Sequence, residues 1–246
     1  MKFKSLKILL PVICLWTLHS CKKNDSPIPP QNGLVADIAL NGDAVDRINH
    51  INGTIFNAQP TSNRHGENGQ AMYFTRHDSA FIDFGDAPEF SFPQNIFTIS
   101  CWILVTDTTS PSTIVSKRNA TGPWEYSLDN HMNRSVFNFD NWVPDGSTTV
   151  YGKDPLKASA SFVTGQWQHI AFVADGFLLK AYLNGQSTGA ADTIKAGFAW
   201  SDTGAPFQIG VGGGYGRHYH FDGAIDDLLI YNRPLTGDEI KLLAGL

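Results

Sequence analysis

From Leu34 onward, short runs of alternating apolar and polar residues recur along the chain. The strongest is Phe97-Thr-Ile-Ser-Cys-Trp-Ile-Leu-Val105, which sets Phe97, Ile99, Cys101 and Ile103 on one side of an extended segment and Thr98, Ser100, Trp102 and Leu104 on the other. Leu34 to Leu40 alternates more weakly. Gly66 to Phe74 and Ala80 to Phe84 read as two strands joined by Thr75-Arg-His-Asp-Ser79. Further strands are expected at Thr113–Lys117, Glu125–Leu128, Ser135–Phe139, Gln166–Ala174, Leu178–Leu183 and Phe207–Val211. Asp175-Gly176 and Asn184-Gly185 supply the positive backbone angles that tight reversals need. No long helical pattern interrupts this series, so the expected fold is an all-β sandwich of two antiparallel sheets.

The end of the chain packs a strand, a stop and a helix start into one run. Read as an uninterrupted strand, Ile225, Asp227, Leu229 and Tyr231 share one face while Ala224, Asp226, Leu228 and Ile230 share the other. The two adjacent acids then point to opposite faces, and at least one enters an apolar setting where an unpaired charge costs several kcal/mol. A partner is required there. Arg233-Pro234 ends the strand, because proline brings no amide hydrogen to a ladder. Thr236 stands three residues before Glu239, the spacing of a capping box, and Leu235 can pack on Ile240 as a staple. A helix of about two turns follows.

This closing run resembles that of the laminin-G-like, concanavalin-A-like jelly-roll family, with Phe221, Gly223, Ile225, Asp226, Asp227, Ile230, Tyr231, Asn232, Arg233, Leu235, Thr236, Glu239 and Ile240 at matching positions. Asn41, Gly42, Ala44, Asp46, Gly53 and Thr54 fit the family's first loop. Gln166-Trp-Gln-His-Ile-Ala and Ala181-Tyr-Leu-Asn-Gly185 are similar to one of its hairpins. The resemblance runs from about Leu34 to Leu243 and implies a jelly roll with one short C-terminal helix, filling residues 34–246 as one domain. It also implies that Trp102 and Trp167 are core positions.

Residues 1–20 carry a basic start and an apolar run, Ile8 to Leu18, too short for a comfortable membrane span, and read as a signal peptide. Leu18-His19-Ser20-Cys21 resembles a bacterial lipobox, which makes Cys21 the lipidation site and residues 21–33 a tether rich in Pro and polar residues. Short charged segments such as Lys22-Lys-Asn-Asp25 are similar to those of Bacteroidota-type lipoproteins of the outer membrane or cell surface, so a lipid anchor is the expected membrane contact. With Cys14 removed and Cys21 acylated, Cys101 is left alone and the core must come from apolar burial. A formal net charge of -5 and a pI near 5.8 give no footprint for nucleic acid.

Retaining glycoside hydrolysis needs two carboxyl groups about 5 Å apart. The chain has only Glu67, Glu89, Glu125 and Glu239, none with another glutamate near it along a strand, and Glu125 with Asp129 is the nearest approach to a pair. No catalytic residue is assigned. The family resemblance implies a structural calcium where the first loop meets the final strand, with Asp46 and one of Asp226 or Asp227 as ligands and Asn41, Asp43 and Asn49 as further candidates. The other reading of these acids is that they accept loop amide hydrogens or pair with Arg233 or Arg47. His218, His220 and Asp222 share a face if extended, a spacing open to a transition metal or simply to solvent. Sugars stack on indole and need a few placed polar groups, so Trp124, Trp142 and Trp200, with Arg134 and Asn141 nearby, are the ligand-binding candidates. Those tryptophans could equally cover the sandwich edge. The expected function is a non-catalytic, surface-anchored module that binds a glycan or a protein partner. A glycan-active enzyme and a purely structural surface subunit are the alternatives.

Overall fold

The computed structural model describes residues 28–119, 124–129, 138–140, 156–157, 162–193, 202–214 and 217–246. In chain order its strands are β1 (Leu34–Ile38), β2 (Thr54–Phe56), β3 (Gln59–Thr61), β4 (Ala71–Phe74), β5 (Phe81–Asp83), β6 (Ile96–Val105), β7 (Thr113–Arg118), β8 (Trp124–Asp129) and β9 (Asn138–Asp140). They continue as β10 (Leu156–Lys157), β11 (Trp167–Asp175), β12 (Leu178–Leu183), β13 (Gln186–Thr193), β14 (Phe207–Ile209), β15 (Gly213–Gly214), β16 (Arg217–His218) and β17 (Gly223–Tyr231), before helix α1 (Gly237–Leu243). One sheet has eight strands in the order β13-β12-β11-β6-β17-β4-β3, with β1 also on β17. The other has seven, β10-β9-β8-β7-β14-β5-β2, and β15 pairs with β16. Nearly all the pairing is antiparallel, and the two sheets form a jelly-roll-like sandwich, as the alternation led one to expect.

Between the sheets lies one apolar cluster. Phe97, Ile99, Cys101 and Ile103 of β6 enter it from the eight-stranded side, and Tyr126, Leu128, Phe207 and Ile209 from the other. Phe90 and Phe207 approach to 4.4 Å between ring centroids, and the Tyr126 hydroxyl is satisfied by the Phe90 carbonyl at 2.8 Å. A second cluster lies on the outward face of the eight-stranded sheet, where Ile240 and Leu243 of α1 and Leu235 before it cover Ala171, Val173, Leu229 and Tyr231. The expected capping box is present: Thr236 accepts from the Glu239 amide, and the Glu239 carboxylate accepts from the Thr236 amide.

The axis of the molecule is β17, flanked on one edge by β6 and on the other by β1 and β4 in succession. β1 pairs with the Leu228–Tyr231 half and β4 with Gly223 to Ile225, so on that edge neither Asp226 nor Asp227 is in register with a neighbouring strand. The opposite edge carries a bulge between Asp226 and Leu229, and Asp227 has a positive φ of 47°. This corrects the two faces read from sequence. The extra residue shifts the alternation, so Ile225, Leu228 and Ile230 face the core while Ala224, Asp226, Leu229 and Tyr231 are in register with the outward residues of β6. At the start of β17, Gly223 has φ 148°, and a Cβ there would lie 2.0 Å from the Leu104 carbonyl oxygen.

Other differences from the sequence reading have local causes. Gly66 to Gln70 is a turn-rich loop and only Ala71–Phe74 is strand, because Gly66 and Gly69 both adopt positive φ. Strands β2 and β3 were not expected; Asn57, at φ 55°, separates them and Pro60 lies within the second. The polar run of β13 was also not expected, and it pairs with β12 at the end of its sheet.

Candidate functional site

The acid pair of β17 is held by Arg64. Its Nη1 lies 2.8 Å from Asp226 Oδ2 and 2.8 Å from Asp227 Oδ2, so the bulge brings both carboxylates to one cation rather than to opposite faces. The guanidinium carbon also stands 4.7 Å from the centroid of the Trp102 ring, on the strand next to Asp226. Arg64 comes from the loop between β3 and β4, fixed by Asn63, whose side-chain oxygen accepts the amides of His65 and Glu67 at 3.0 Å each. Burial and the neighbouring Asp227 charge raise the Asp226 carboxyl to about 7 against the opposing pull of Arg64. The expected partners, Arg233 and Arg47, are not those found: Arg233 pairs with Glu239.

Asp46, fully buried, serves a different purpose. One carboxylate oxygen accepts the amides of Asp37 and Ile48 at 3.0 Å each, and the other accepts the Asn49 amide at 3.2 Å and the Asn49 side-chain nitrogen at 2.7 Å. Asp43 accepts the Val45 amide at 3.3 Å. With its amide turned to suit its neighbours, Asn41 donates to the carbonyls of Ala39 and Gln70, 3.2 Å each. As arranged, the oxygens of Asp46, Asp226 and Asp227 meet hydrogen-bond donors, and Asn49 presents its nitrogen to Asp46, which does not fit a calcium site built from converging oxygens. Among the described residues, no group of three or more His, Cys, Asp or Glu side chains is placed to hold a metal. Asp222 is taken by Arg76 at 2.6 Å, and His220 lies 3.4 Å from the Ala80 carbonyl.

The outward face of the eight-stranded sheet corrects the placement of two tryptophans. Trp102 and Trp167 do not enter the core; they stand on this face, partly exposed, with Trp102 in register with Asp226 on one side and His169 on the other. The His169 ring meets the Trp102 ring edge-on at 5.4 Å and shares a 2.7 Å hydrogen bond with the Ser100 hydroxyl through Nε2. Burial, helped by the Arg64 charge, lowers the His169 pKa to about 3, so the imidazole is neutral. Arg64, Trp102 and His169 thus close over one another, and α1 covers Ala171, Val173, Leu229 and Tyr231 on the same face.

The outward face of the seven-stranded sheet carries a polar row and, at its β2–β5 edge, a stacked aromatic pair, Phe56 and Phe81, with ring centroids 4.5 Å apart. Thr54, Asp83, Gln208, Ser116 and Ser127 lie in direct register across five strands, β2, β5, β14, β7 and β8. Ser116 and Ser127 are buried, with the Ser116 hydroxyl donating to the Val211 carbonyl at 2.8 Å, while Gln208 and Asp83 are partly exposed and Thr54 is open to solvent. Gln208 donates to Asp83 at 2.8 Å, and Ser127 donates to Asp129 at 2.7 Å while accepting from Arg118 at 3.2 Å. Three members had a signal in the sequence, since Asp83, Gln208 and Ser127 each stand between apolar residues in a short strand.

Glu125 and Asp129, the nearest approach to a catalytic pair, are held apart. Lys117 Nζ, fully buried, lies 3.5 Å from Glu125 and 3.0 Å from Asp86, while the Glu125 carboxylate also accepts from the Thr203 amide and hydroxyl. Asp129 instead lies 3.8 Å from Arg118. Four residues apart on one strand, the two acids have Cα atoms separated by about 13 Å. Each leans on its own cation, which does not suit an acid and nucleophile acting on one bond.

Of the remaining expected site residues, Cys21, Arg134, Asn141, Trp142 and Trp200 lie outside the described residues, as does the side chain of Trp124, whose backbone opens β8.

Residues 78–241 match the model of the concanavalin A-like lectin/glucanases superfamily. Among solved structures, domain 4 of an extracellular arabinanase from Geobacillus stearothermophilus, in complex with arabinotriose, is similar over 86% of this chain and 98% of that one, with 22% identity and a TM-score of 0.65. The binding domain of Paraclostridial Mosquitocidal Protein 1 matches 86% of this chain, with 14% identity and a TM-score of 0.64, and this chain covers 52% of it. A Trypanosoma rangeli sialidase mutant displaying trans-sialidase activity matches 87% of this chain at 16% identity and a TM-score of 0.62, but this chain spans only 33% of that enzyme. The chain belongs to the concanavalin A-like lectin/glucanase superfamily.

Proposed function

We propose that this protein is a non-catalytic module that binds glycan on the outward face of the seven-stranded sheet and is anchored to the outer membrane or cell surface through a lipid on Cys21. The row Thr54, Asp83, Gln208, Ser116 and Ser127 carries the reading. Thr54, Asp83 and Gln208 reach solvent, and their hydroxyl, carboxylate and amide suit a ligand rich in hydroxyls. On the opposite sheet, α1 and the Arg64 cluster cover much of the described outward face. The arabinotriose-bound arabinanase domain supports glycan as the ligand class.

The test is binding to a glycan array, followed by titration of any hit against Gln208→Ala and Asp83→Ala variants. Loss of one good hydrogen bond is expected to weaken binding about tenfold. Hits that bind both variants with undiminished affinity would remove this face from consideration, and a hit lost in Trp142→Ala alone would move the site to the loops. Release of reducing ends that disappears with Glu125→Gln would instead establish an enzyme. Lipid attachment is checked separately by palmitate labelling, expected in the full chain and absent from Cys21→Ser.

A further inference from the structure

The gap on one edge of β17 is the feature the proposed function leaves unused. There β1 has ended at Ile38 opposite Leu228, β4 begins opposite Ile225, and the two carboxylates between them face no backbone partner on that side. A side-chain cation fills the position. Arg64 reaches Asp226 and Asp227 through one nitrogen at 2.8 Å each, is largely buried, and has its planar face over Trp102, so its place is fixed on three sides. Both acids approach the same atom, as ligands approach a metal, but that atom carries hydrogens.

We infer that Arg64 is a built-in counter-ion that takes the place of a divalent cation at the bulge of β17, so that this protein needs no calcium there and acquires a calcium response only when Arg64 is removed. Three arguments converge. Placing the buried Asp226 carboxylate beside a second one, the part-exposed Asp227, is unfavourable without a positive charge, and Arg64 supplies one covalently. A guanidinium is less strongly hydrated than an ammonium and can stack on an aromatic ring, and the Trp102 ring is beside the pair. The oxygens of the first loop are directed elsewhere: Asp46 is consumed by three backbone amides and the Asn49 side chain, so it cannot complete a cation shell without giving up those bonds. Asn63 holds the loop that delivers Arg64, which makes the charge part of the fold rather than a passing surface contact.

The experiment is thermal unfolding of the folded chain in chelator and in millimolar calcium, for the wild type, Arg64→Ala and Arg64→Lys. The wild-type midpoint is expected to be the same in both solutions. Arg64→Ala is expected to melt lower in chelator by on the order of 10 °C and to recover part of that loss with calcium but not with potassium. Arg64→Lys keeps the charge and is expected to ignore calcium. A wild-type midpoint that rises with calcium overturns the inference, as does an Arg64→Ala variant that is either as stable as wild type or destabilised without responding to calcium. Should Arg64→Ala fail to fold in either solution, the other two proteins decide, since a calcium response in Arg64→Lys would show that the charge is not what occupies the position.

Discussion

Arg233 and Glu239 face each other across the entry to the C-terminal helix, with Nη2 to Oε1 at 2.6 Å and Nη1 to Oε2 at 3.0 Å. This fork comes on top of the capping box, because the same carboxylate accepts the Thr236 amide at 2.8 Å. The arginine hydrogen bonds, with help from the cap, hold the Glu239 carboxyl down to about 2. An unfolded glutamate titrates near 4.3.

The sign of the resulting pH dependence follows. A depressed carboxyl pKa contributes stability in full above the unfolded value and loses it as pH falls through the folded one. Glu239→Gln is therefore expected to cost on the order of 1 kcal/mol at neutral pH, allowing for partial solvent screening. That difference from wild type should shrink between about pH 4.5 and pH 2. Urea unfolding at several pH values measures it, and a difference that stayed constant down to pH 2 would contradict the assigned role.

His169 should act in a higher window. Its folded pKa of about 3 lies below the unfolded value near 6.5, so the unfolded chain takes the proton first and stability falls as pH drops from 6.5 toward 3. Asp226, raised to about 7, works the other way, because the folded chain takes its proton first and gains stability over part of the same range. The informative quantity is thus wild type minus His169→Gln, which should decline with acidification by at most about 1.4 kcal/mol per pH unit. A flat difference between pH 6.5 and pH 4 is the contrary result.

Two glycines with positive φ separate close approach from backbone strain. At Gly223 an added Cβ would collide with the Leu104 carbonyl, whereas Gly66, at φ 78°, has nothing within 4 Å. Gly223→Ala is expected to cost about 3 kcal/mol or more, or to prevent folding, and Gly66→Ala about 1 kcal/mol. Denaturant midpoints with unchanged slopes provide the readout.

Cys101 should be chemically silent in the native protein. Its thiol is fully buried in the core, and burial together with the Asp226 charge raises its pKa far above the normal range. Alkylation followed at the peptide level is expected to label Cys101 only at the rate of global opening. Rapid labelling under native conditions would mean that the core between the sheets opens locally.

The strands were legible where one face had to be apolar and the other not, as in β6, whose core side Phe97, Ile99, Cys101 and Ile103 was read correctly. The same alternation placed Trp102 opposite that set, on the outward side, and the family resemblance led away from what the pattern said. The bulge in β17 was not legible. Nothing in Ile-Asp-Asp-Leu-Leu marks the positive φ of Asp227, a conformation aspartate tolerates better than most residues, yet that one residue sets where both carboxylates go. Arg64 was missed for a related reason: 162 residues separate it from Asp226, and only the succession of β1 and β4 along one edge brings them together. Polar β13 escaped notice because it lies at the end of its sheet order, where pairing on one side can define a strand without an apolar signature.

The beginning and the end of the domain are tied to each other. The Asn232 amide donates to the Gly33 carbonyl at 2.9 Å, Arg233 Nε donates to the Asn32 carbonyl at 2.7 Å, and β1 then runs antiparallel along β17. A mechanical pull on the segment before Gly33 is thus delivered first to the midline of the eight-stranded layer, through hydrogen bonds that share the tension. The opposite layer, where Gln208 and Asp83 stand, receives that force indirectly, through the apolar interior and the backbone hydrogen bonds that Tyr219 and Phe221 make before β17, so drag on the leading segment loads one wall of the molecule ahead of the other.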